Sequence, residues 1–438
     1  MISKSIQSCR EAIYRDLQQC RSGTFKLFAD IDYDTFCRQA HPDFSPVGWH
    51  LGHIAYTEDL WLLQRCAGLE PVFPQYHKLF AADILPKKQR VFLPALPEVE
   101  LYLDAVRKKV LDYLEVAPID EQERLWRFII QHESQHCETV AFVLQMHRKK
   151  EEGRRKKEEV RRKKEEGRKK KEEGILMPHA PCPMPHAPCP ITDSPMIEIP
   201  GGEFYMGSDA AEALDNERSR HRCYLEAYSI DRYPVTCSQY RDFMESGGYQ
   251  NPDWWSADGW KWLQDEAVSQ PLYWSENPAF NNHPVCGVSW YEAEAYCNFT
   301  GKRLPSEAEW EKAASWDAAN QIYRIYPWGE EPPNGSLCNH GNSIANTSPV
   351  DAFPKGASAI GCCDMLGNVW EWTASTFDAY PGFESYPYRG YSQVYFDGEH
   401  RVLKGGSWAT FPQALRSSFR NWYYPGVRQI IAGFRCAN

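Results

Sequence analysis

Two histidines four residues apart are the clearest sign of chemistry in this 438-residue sequence. They are His132 and His136, in the segment QHESQHCET, which has helical periodicity. On a helix, side chains four residues apart project from one face, so both imidazoles can bind the same metal ion. The segment also matches H-E-x-x-H, in which a zinc metalloprotease uses the glutamate, here Glu133, as general base. The pair therefore predicts a metal site, with a zinc protease as the first class of enzyme to consider.

The surroundings of this motif argue against a protease. The region before it has helical patterns throughout, without the strand on which such an enzyme holds a peptide. After His136 the next residue of ligand type at a usable distance is His147, which leads into a charged run. A match to five residues is weak support by itself. The protease is therefore the less favoured interpretation.

A third ligand is better sought on a facing helix, because bundle metal sites are built from side chains on several helices. The segment WHLGHIAYTEDLW offers His50 and His53. His53 is preferred because Gly52 before it permits close packing and leaves room for an ion, whereas His41 is assigned to ordering a loop. The alternative for His132 and His136 is that both are buried core residues whose nitrogens are hydrogen-bonded. A third histidine on a facing helix makes a metal site the favoured interpretation. Three neutral imidazoles suit Fe(II) or Zn(II), and ligand type leaves both open.

Helices must position these histidines. Little glycine and clear helical periodicity predict four of them, over residues 4–20, 46–67, 97–115 and 121–147. Ser45 and Pro46 form a good N-cap and first turn for the second. With modest connections, residues 1–148 are expected to fold as an antiparallel four-helix bundle.

A linker is predicted over residues 149–195. It begins with the charged heptads KKEEGRR, KKEEVRR, KKEEGRK and KKEEG, which lack the apolar seam of a coiled coil. This run is either a solvated helix with internal ion pairs or disordered, and disorder is the expectation for the linker as a whole. The tandem MPHAPCPMPHAPCP, residues 177–190, is interpreted as linker rather than as a Cys/His metal tract, because its prolines prevent folding around an ion.

Residues 196–438 form the second predicted domain. Gly, Pro, Trp and Asn become frequent, and two helices are predicted, over 289–300 and 306–315, the second with a capping box from Ser306 to Glu309. The rest is expected to form short strands and long aromatic loops, which usually build a site. The whole chain is therefore predicted to be an α+β multidomain protein.

Composition restricts the function further. The formal charge is −10, from 59 acidic and 49 basic residues, many of the latter in the charged run, which argues against nucleic acid as a partner. A window of about 20 apolar residues and a signal peptide are both missing, so a cytoplasmic protein without membrane contact is expected. Fifteen scattered cysteines are expected to be reduced.

Five segments of the sequence form a recognisable set, namely HPDFSPVGWHLGHIA and QHESQHCET in the first domain, and GNVWEWTAS, VLKGGSW and FRNWYYPGVRQIIAGFR in the second. Together they resemble the ergothioneine-biosynthesis sulfoxide synthases. The resemblance spans the chain apart from the charged linker. It implies a DinB-like four-helix bundle fused to a formylglycine-generating-enzyme-like domain with a C-type-lectin-like fold. GNVWEWTAS and GGSW are shared throughout that second fold, so they indicate architecture more than activity.

The resemblance also implies a metal and a reaction. His132, His136 and Glu138 match the family's His-x-x-x-His-x-Glu iron motif, with the third ligand at His53. Such enzymes bind Fe(II), use O2 as co-substrate and join a thiol to the imidazole of Nα-trimethylhistidine, forming a carbon–sulfur bond and a sulfoxide. Three protein ligands leave positions for imidazole, sulfur and oxygen. Glu133 then has a structural role.

Further site residues follow from the same family motifs. Gln135 matches the contact to trimethylhistidine, and Asn421, followed by Trp422, matches the partner of its carboxylate. In YRGYSQVYF, Tyr388 and Tyr391 match a Tyr-x-x-Tyr pair of actinobacterial members. The resemblance implies that the first tyrosine supplies a proton or hydrogen and that the second holds substrate.

The sulfur donor is predicted from a departure from the family pattern. Members that use γ-glutamylcysteine carry Asp after the Asn-Trp pair and two Arg before the third bundle helix. Here Tyr423 follows Trp422, and Arg90 is the only arginine in ILPKKQRVFLP. Without the acid to pair with a glutamyl amino group, free cysteine is favoured, with Arg90 as the partner of its carboxylate. A synthase using γ-glutamylcysteine or a selenosugar, a zinc DinB-type thiol transferase and a binding scaffold are the alternatives.

Overall fold

A computed structural model describes residues 2–172 and 195–438 of the chain. Its α-helices are α1 (Ile2–Phe28), α2 (Tyr33–Cys37), α3 (Val47–Glu58), α4 (His77–Phe80), α5 (Leu96–Leu114), α6 (Ile119–Glu172), α7 (Cys237–Glu245), α8 (Ala257–Glu266), α9 (Trp290–Thr300) and α10 (Glu307–Ser315). Its strands are β1 (Met196–Ile199), β2 (Gly202–Met206), β3 (His221–Leu225), β4 (Tyr228–Asp231), β5 (Trp316–Asp317), β6 (Ile322–Tyr323), β7 (Trp370–Thr376), β8 (Arg401–Lys404), β9 (Asn421–Tyr423) and β10 (Ala432–Gly433). Helices α1 to α6 form the N-terminal domain and all these strands lie in the C-terminal one, so the predicted α+β two-domain architecture is confirmed.

Four long helices, α1, α3, α5 and α6, pack into the predicted bundle. Their apolar faces meet in a core that includes Leu17, Leu51, Leu103 and Phe142, all almost fully buried. The predicted segments 97–115 and 121–147 correspond to α5 and to the first half of α6, while α1 continues past the predicted end to Phe28.

The second predicted helix, over 46–67, is not uniform. Helix α3 ends at Glu58, and the chain continues as a π-helix over Asp59–Cys66. A π-helix has a wider turn than an α-helix and is frequent at functional sites. Here it carries Trp61, whose ring stacks on Tyr388 of the C-terminal domain with centroids 5.7 Å apart and 20° between the planes.

The charged repeat is helical as far as the structure describes it, which corresponds to the solvated helix that the sequence leaves open beside disorder. Helix α6 runs without a break through the predicted domain boundary at residue 148 to Glu172. Ion pairs one turn apart support it, with 3.1 Å between Arg162 and Glu158 and 2.6 Å between Lys163 and Glu159. The tandem Pro-rich repeat, 177–190, lies outside the described residues.

The C-terminal domain is built around a four-stranded sheet in the order β10-β7-β8-β9. Strand β7 pairs with β8 with Glu371 opposite Lys404, and β8 pairs with β9 with Leu403 opposite Asn421. The described part of this domain also contains three two-stranded sheets, β1 with β4, β2 with β3 and β5 with β6. Strand β8 lies between β7 and β9, so Leu403 has Trp372 on one side and Asn421 on the other.

Helix ends in this domain follow local capping chemistry. The hydroxyls of Ser289 and Ser306 accept hydrogen bonds from backbone N–H groups three residues on, so α9 and α10 begin where the sequence predicts. Helices α7 and α8 correct the expectation that the remainder is strand and loop. Each is about ten residues long and begins at a capping residue, Thr236 and Ser256, whose signal is hidden among aromatic loops.

The two domains share one hydrophobic core. Trp49 and Phe128 of the bundle belong to the same buried cluster as Tyr391, Trp408 and Phe411 of the C-terminal domain. Such a packed, apolar contact fixes the domains against each other. Among the described helices, none is long and apolar enough to cross a membrane.

Candidate functional site

Three imidazoles converge inside the bundle. His53 projects from α3, and His132 and His136 project from α6, with ligand nitrogens of the three rings within 4.8 Å of one another. The ring centroids are separated by 5.1 Å for His53 and His132, 4.8 Å for His53 and His136, and 4.4 Å for His132 and His136. One nitrogen from each ring can reach a single ion at this spacing. The structure thus brings together the three residues predicted as ligands, and their binding of metal stays a prediction.

Neighbouring groups orient two of these rings. His53 Nδ1 lies 2.6 Å from the backbone carbonyl oxygen of Phe80, to which it donates. His136 Nδ1 lies 2.8 Å from His50 Nδ1, and one of these two nitrogens carries the hydrogen. In both ligand candidates the Nδ1 is therefore occupied and the Nε2 is left for an ion, the arrangement that outer partners impose on metal-binding histidines.

The rings are held in the neutral form. Burial lowers the pKa of His53 to about 4 and that of His50 to about 3. Burial and the neighbouring histidines lower the pKa of both His132 and His136 well below the usual value. Near pH 7 all four imidazoles are thus unprotonated, which is the form that binds a metal ion.

Aromatic rings line the histidine cluster. Trp49 stacks on His53 at 4.6 Å with 13° between the planes, and the ring of Tyr56 lies 6.0 Å from that of His53. Phe128 lies 6.1 Å from His132 and 5.0 Å from Tyr391. We call Trp49, Tyr56, Phe128 and Tyr391 the aromatic wall. Its rings exclude water and present faces that suit a planar heterocycle or a quaternary ammonium group.

Gly52 allows the tight contact that holds His53. A Cβ at this position would overlap the buried ring of Phe80, the residue whose carbonyl accepts from His53 Nδ1. Gly52→Ala is therefore expected to lower the free energy of unfolding by about 1–3 kcal/mol. The displaced carbonyl is expected to weaken Co(II) binding by roughly 10- to 100-fold. Chemical denaturation and a Co(II) titration followed by visible absorption measure the two effects.

Gly153→Ala is the matched control for that substitution. Gly153 lies in the exposed part of α6, and a Cβ there has open space around it. Alanine should raise helix stability slightly and leave Co(II) binding unchanged. If Gly52→Ala behaves in the same way as Gly153→Ala, the carbonyl of Phe80 does not orient His53.

Predicted site residues from both domains meet beside α6. Gln135 Nε2 donates to the hydroxyl of Tyr391 at 2.8 Å, and that hydroxyl lies 3.0 Å from Gln135 Oε1. Tyr391 is buried, whereas Tyr388 is 41% exposed and stacks on Trp61. The structure places all three side chains at the seam between the domains, and their roles in binding and proton transfer stay predictions.

Asn421 and Trp422 lie on β9, behind this seam. Trp422 stacks on Phe377 at 4.2 Å, and its ring meets Tyr391 edge-on at 6.1 Å. Asn421 is half-buried, and its Oδ1 accepts a hydrogen bond from the backbone N–H of Trp422 at 2.9 Å. The predicted substrate contacts of the second domain are thus linked to the bundle through Tyr391.

Arg90 packs beside the histidine cluster. Its guanidinium lies 4.0 Å from the centroid of Trp49, and it donates to the carbonyl of Leu85 at 2.9 Å and to Ser45 Oγ at 3.0 Å. A third bond goes to the carbonyl of Ala82. Two of its five N–H groups therefore hold the preceding loop and a third binds Ser45 before α3, and a contact between Arg90 and a substrate carboxylate stays a prediction.

Glu133 faces away from the histidines, which removes the geometric basis of the protease interpretation. Its Oε1 lies 2.8 Å from Arg21 Nε, its Oε2 lies 2.6 Å from Arg107 Nη2, and Thr24 Oγ1 donates to it at 2.6 Å. The two arginines also bind Glu58, so the four charges form a buried network in the bundle core. A general base must reach the metal-bound water, and a carboxylate bound on both oxygens by arginines cannot.

The sequence does not reveal the roles of two residues that shape the site, His50 and Phe80. His50 was considered only as a ligand, although its spacing of three residues from His53 places it on the same helix face and could have suggested an outer role. Phe80 contributes through its backbone carbonyl, which leaves no signal in the residue type.

Fold and site together define a two-domain protein in which a histidine-bearing helical bundle is joined to an α+β domain. Residues 16–140 match the DinB superfamily model. Residues 184–438 match the model of the sulfatase-modifying factor enzyme 1-like domain. These matches agree with both halves of the observed fold.

Similarity to characterised proteins extends over nearly the whole chain. The chain is 36% identical to the hercynine oxygenase of Mycolicibacterium smegmatis, covering 98% of this chain and 99% of that protein. It is 38% identical to the hercynine oxygenase of Mycobacterium tuberculosis, with 96% and 97% covered. The inactive C-alpha-formylglycine-generating enzyme 2 of Mus musculus is 32% identical over 56% of this chain and 86% of that protein. The chain therefore belongs to the hercynine oxygenase family, the ergothioneine-biosynthesis sulfoxide synthases that its motifs resemble.

Proposed function

We propose that the protein is an Fe(II)- and O2-dependent sulfoxide synthase that joins free cysteine to the imidazole of Nα-trimethylhistidine. The observation that carries the proposal is the convergence of His53, His132 and His136 beside the seam where Gln135 meets Tyr391. Both mycobacterial relatives are named for hercynine, which is Nα-trimethylhistidine, and their identity of 36% and 38% over nearly full length supports the same substrate class here.

The histidine cluster fits a mononuclear iron site. Its donors are three buried, neutral imidazoles, two of them with Nδ1 already held by Phe80 and His50. Three protein ligands leave open coordination positions for an imidazole, a thiolate and dioxygen. Iron bound there would supply the redox chemistry and stabilise the thiolate form of the sulfur donor.

The chain's own groups would bind and orient the substrates. The aromatic wall can hold the trimethylammonium group through cation–π contacts, and it keeps bulk water from the reacting atoms. The Gln135 amide offers a donor and an acceptor within reach of Tyr391, so it can fix an imidazole ring in one orientation. A tyrosine hydroxyl carries its proton near pH 7, so Tyr388 can act as the acid.

Free cysteine is the favoured sulfur donor because the second domain lacks an acid at the expected position. Tyr423 follows Trp422 on β9 and packs against the shared core. A glutamyl amino group would find no carboxylate from this residue, whereas the carboxylate of cysteine can pair with the guanidinium of Arg90 beside Trp49.

An oxygen-uptake assay tests the proposed reaction. Protein loaded anaerobically with Fe(II) should consume O2 only when trimethylhistidine and cysteine are both present, and mass spectrometry should find the sulfoxide of the joined product. Parallel reactions with γ-glutamylcysteine and a selenosugar decide the donor. If none of these donors supports uptake while Zn(II) binds tightly, the synthase proposal is wrong and the zinc thiol transferase replaces it.

Tyr388→Phe is expected to divert oxygen toward oxidation of the thiol itself. Loss of a positioned acid typically lowers the rate of a proton-dependent step by about 100- to 10,000-fold. Formation of the carbon–sulfur product should therefore fall by at least about 100-fold while O2 uptake continues. Tyr424→Phe, a substitution at an exposed tyrosine after β9, is the control and should leave the product per O2 unchanged. An unchanged product ratio in Tyr388→Phe would remove Tyr388 from the proposed mechanism.

A further inference from the structure

One face of helix α6 is devoted to the C-terminal domain. At about 100° per residue, Gln131, Gln135 and Glu138 project from the same side of the helix. His132 and His136 project from the neighbouring side. We call Gln131, Gln135 and Glu138 the docking face, because each of them bonds to the other domain.

The first two positions of the docking face use their amide groups. Gln131 Oε1 accepts from Arg416 Nη2 at 2.7 Å, and its Nε2 donates to the carbonyl of Glu212 at 2.8 Å. One turn later, Gln135 pairs with the hydroxyl of Tyr391. Each amide thus meets a fixed polar group of the second domain.

Glu138 makes the most concentrated contact of the three. Its Oε1 accepts hydrogen bonds from Trp370 Nε1 at 2.8 Å, from Ser407 Oγ at 2.5 Å and from Thr410 Oγ1. The residue is only 5% exposed. A buried carboxylate is tolerated only with such partners, and hydrogen bonds to a charged acceptor are about twice as strong as neutral ones. All three donors belong to the C-terminal domain.

These donors connect the metal-site helix to the strands that carry predicted substrate contacts. Trp370 is the first residue of β7, and Ser407 follows β8, which pairs with β9. Strand β9 begins with Asn421. Because a helix is stiff over two residues, the contacts of Glu138 also hold His136 in place relative to β7 and to the loop after β8, the strand that pairs with β9.

Geometry excludes Glu138 as a ligand for an ion at the histidine cluster. Two residues after His136, its side chain projects about 200° around the helix axis from that of His136. Its Oε1 is already bound by three donors of the second domain. Glu138 is part of the family's iron motif in the sequence, but in the structure it therefore serves to bind the other domain.

We propose that Glu138 is a positioning residue that sets the distance between the bound metal and the substrate contacts of the C-terminal domain. The expected loss of catalysis rests on the proposed function, whereas the expected loosening of the contact between the domains does not. Removing the carboxylate leaves the three histidines in place and loosens the start of β7 and the loop after β8, which hold its three donors. A misplacement of about 1 Å at a reacting centre can cost about 100-fold in rate.

The test compares Glu138→Ala with Glu138→Gln, which keeps an acceptor oxygen of the same shape. In Glu138→Ala, Co(II) affinity should stay within about threefold of the parent, because no ligand is lost. Hydrogen exchange of metal-free protein should become faster in residues 368–376 and 405–411, which contain the three donors to Glu138. With Fe(II), kcat should fall by about 100-fold with more O2 consumed per product. Glu138→Gln should recover most of the exchange protection and most of kcat.

Two further variants complete the experiment. Ser407→Ala combined with Thr410→Val removes two donors from the opposite side without touching α6, and it should reproduce the exchange pattern of Glu138→Ala even if that variant folds poorly. Glu123→Gln, at a half-exposed position on α6, is the control for charge loss on this helix and should change none of the readings.

Two results would overturn the proposal. A fall in Co(II) affinity of more than about 100-fold in Glu138→Ala would make Glu138 a ligand. Unchanged exchange in both Glu138→Ala and the Ser407/Thr410 double variant would show that the contact does not fix the domains. Neither measurement needs turnover, so both remain decisive if the parent protein forms no sulfoxide and the proposed function itself fails.

Discussion

His132→Ala is expected to abolish stable binding of Fe(II) and, with it, O2-dependent product formation. His132 is one of only three imidazoles that can reach the common centre in the described bundle, and its ring is 4.4 Å from that of His136. Loss of an outer partner of a metal ligand commonly costs 10- to 100-fold in affinity, so loss of a ligand should cost more than about 100-fold. Competition with a chromogenic chelator under anaerobic conditions measures the affinity directly.

Two other histidines of the bundle provide graded comparisons. His50→Gln removes the partner of His136 Nδ1 but no ligand, so its loss of affinity should lie within about 10- to 100-fold. His147 is buried on α6, the helix of His132 and His136, but lies outside their cluster. His147→Gln should therefore leave the metal affinity unchanged. Parent-like metal affinity in His132→Ala would contradict the assignment of the three ligands.

Glu133→Gln should cause a large loss of stability in the bundle. The side chains of Glu133 and of its three network partners are each 6% exposed or less. The substitution leaves the guanidinium groups of Arg21 and Arg107 buried with only one carboxylate, that of Glu58. Breaking a buried ion pair by removing one partner costs about 3–5 kcal/mol. At about 2–4 °C per kcal/mol for a domain of this size, the Tm should fall by roughly 6–20 °C.

This prediction separates the bundle from a zinc protease. In a protease the same substitution would remove the general base, leaving a stable protein without activity. Here the fraction that remains folded should still bind metal, since Glu133 faces away from the histidines. Glu123→Gln, on the same helix but half-exposed beside Arg127, should cost less than about 1 kcal/mol. A Tm of Glu133→Gln equal to that of Glu123→Gln would show that the buried network contributes little.

The parts of this structure that could be predicted depend on local chemistry. His132 and His136 share a face because they are four residues apart on one helix, and Ser289 and Ser306 cap helices through groups three residues away. His53 was found because Gly52 beside it signals close packing, and the ring of Phe80 indeed occupies that space. In each case the sequence neighbourhood contains the interaction.

The parts that could not be predicted depend on groups brought together by folding. The partners of Glu138 are more than 200 residues away in sequence, so the residue was grouped with the iron motif by family resemblance. The carbonyl of Phe80 acts on His53 without any contribution from residue type. The π-helix over Asp59–Cys66 and the continuation of α6 to Glu172 also lack a reliable signature, because both sequences suit an ordinary α-helix or a solvated segment.

Helix α6 contains one segment that should tolerate few substitutions and another that should tolerate many. From Gln131 to Glu138 every side chain except that of Ser134 has a defined polar partner or belongs to the histidine cluster, Cys137 included, whose Sγ lies 3.1 Å from Thr24 Oγ1. A saturation mutagenesis scan should therefore find these two turns almost invariant. The first charged heptad still contacts the folded domains, with Lys149 donating to the carbonyl of Trp274 at 3.0 Å. The repeats that follow it need only favour helix, so duplications and drift can accumulate there. The chain can thus change length by whole heptads without disturbing the residues that selection must preserve.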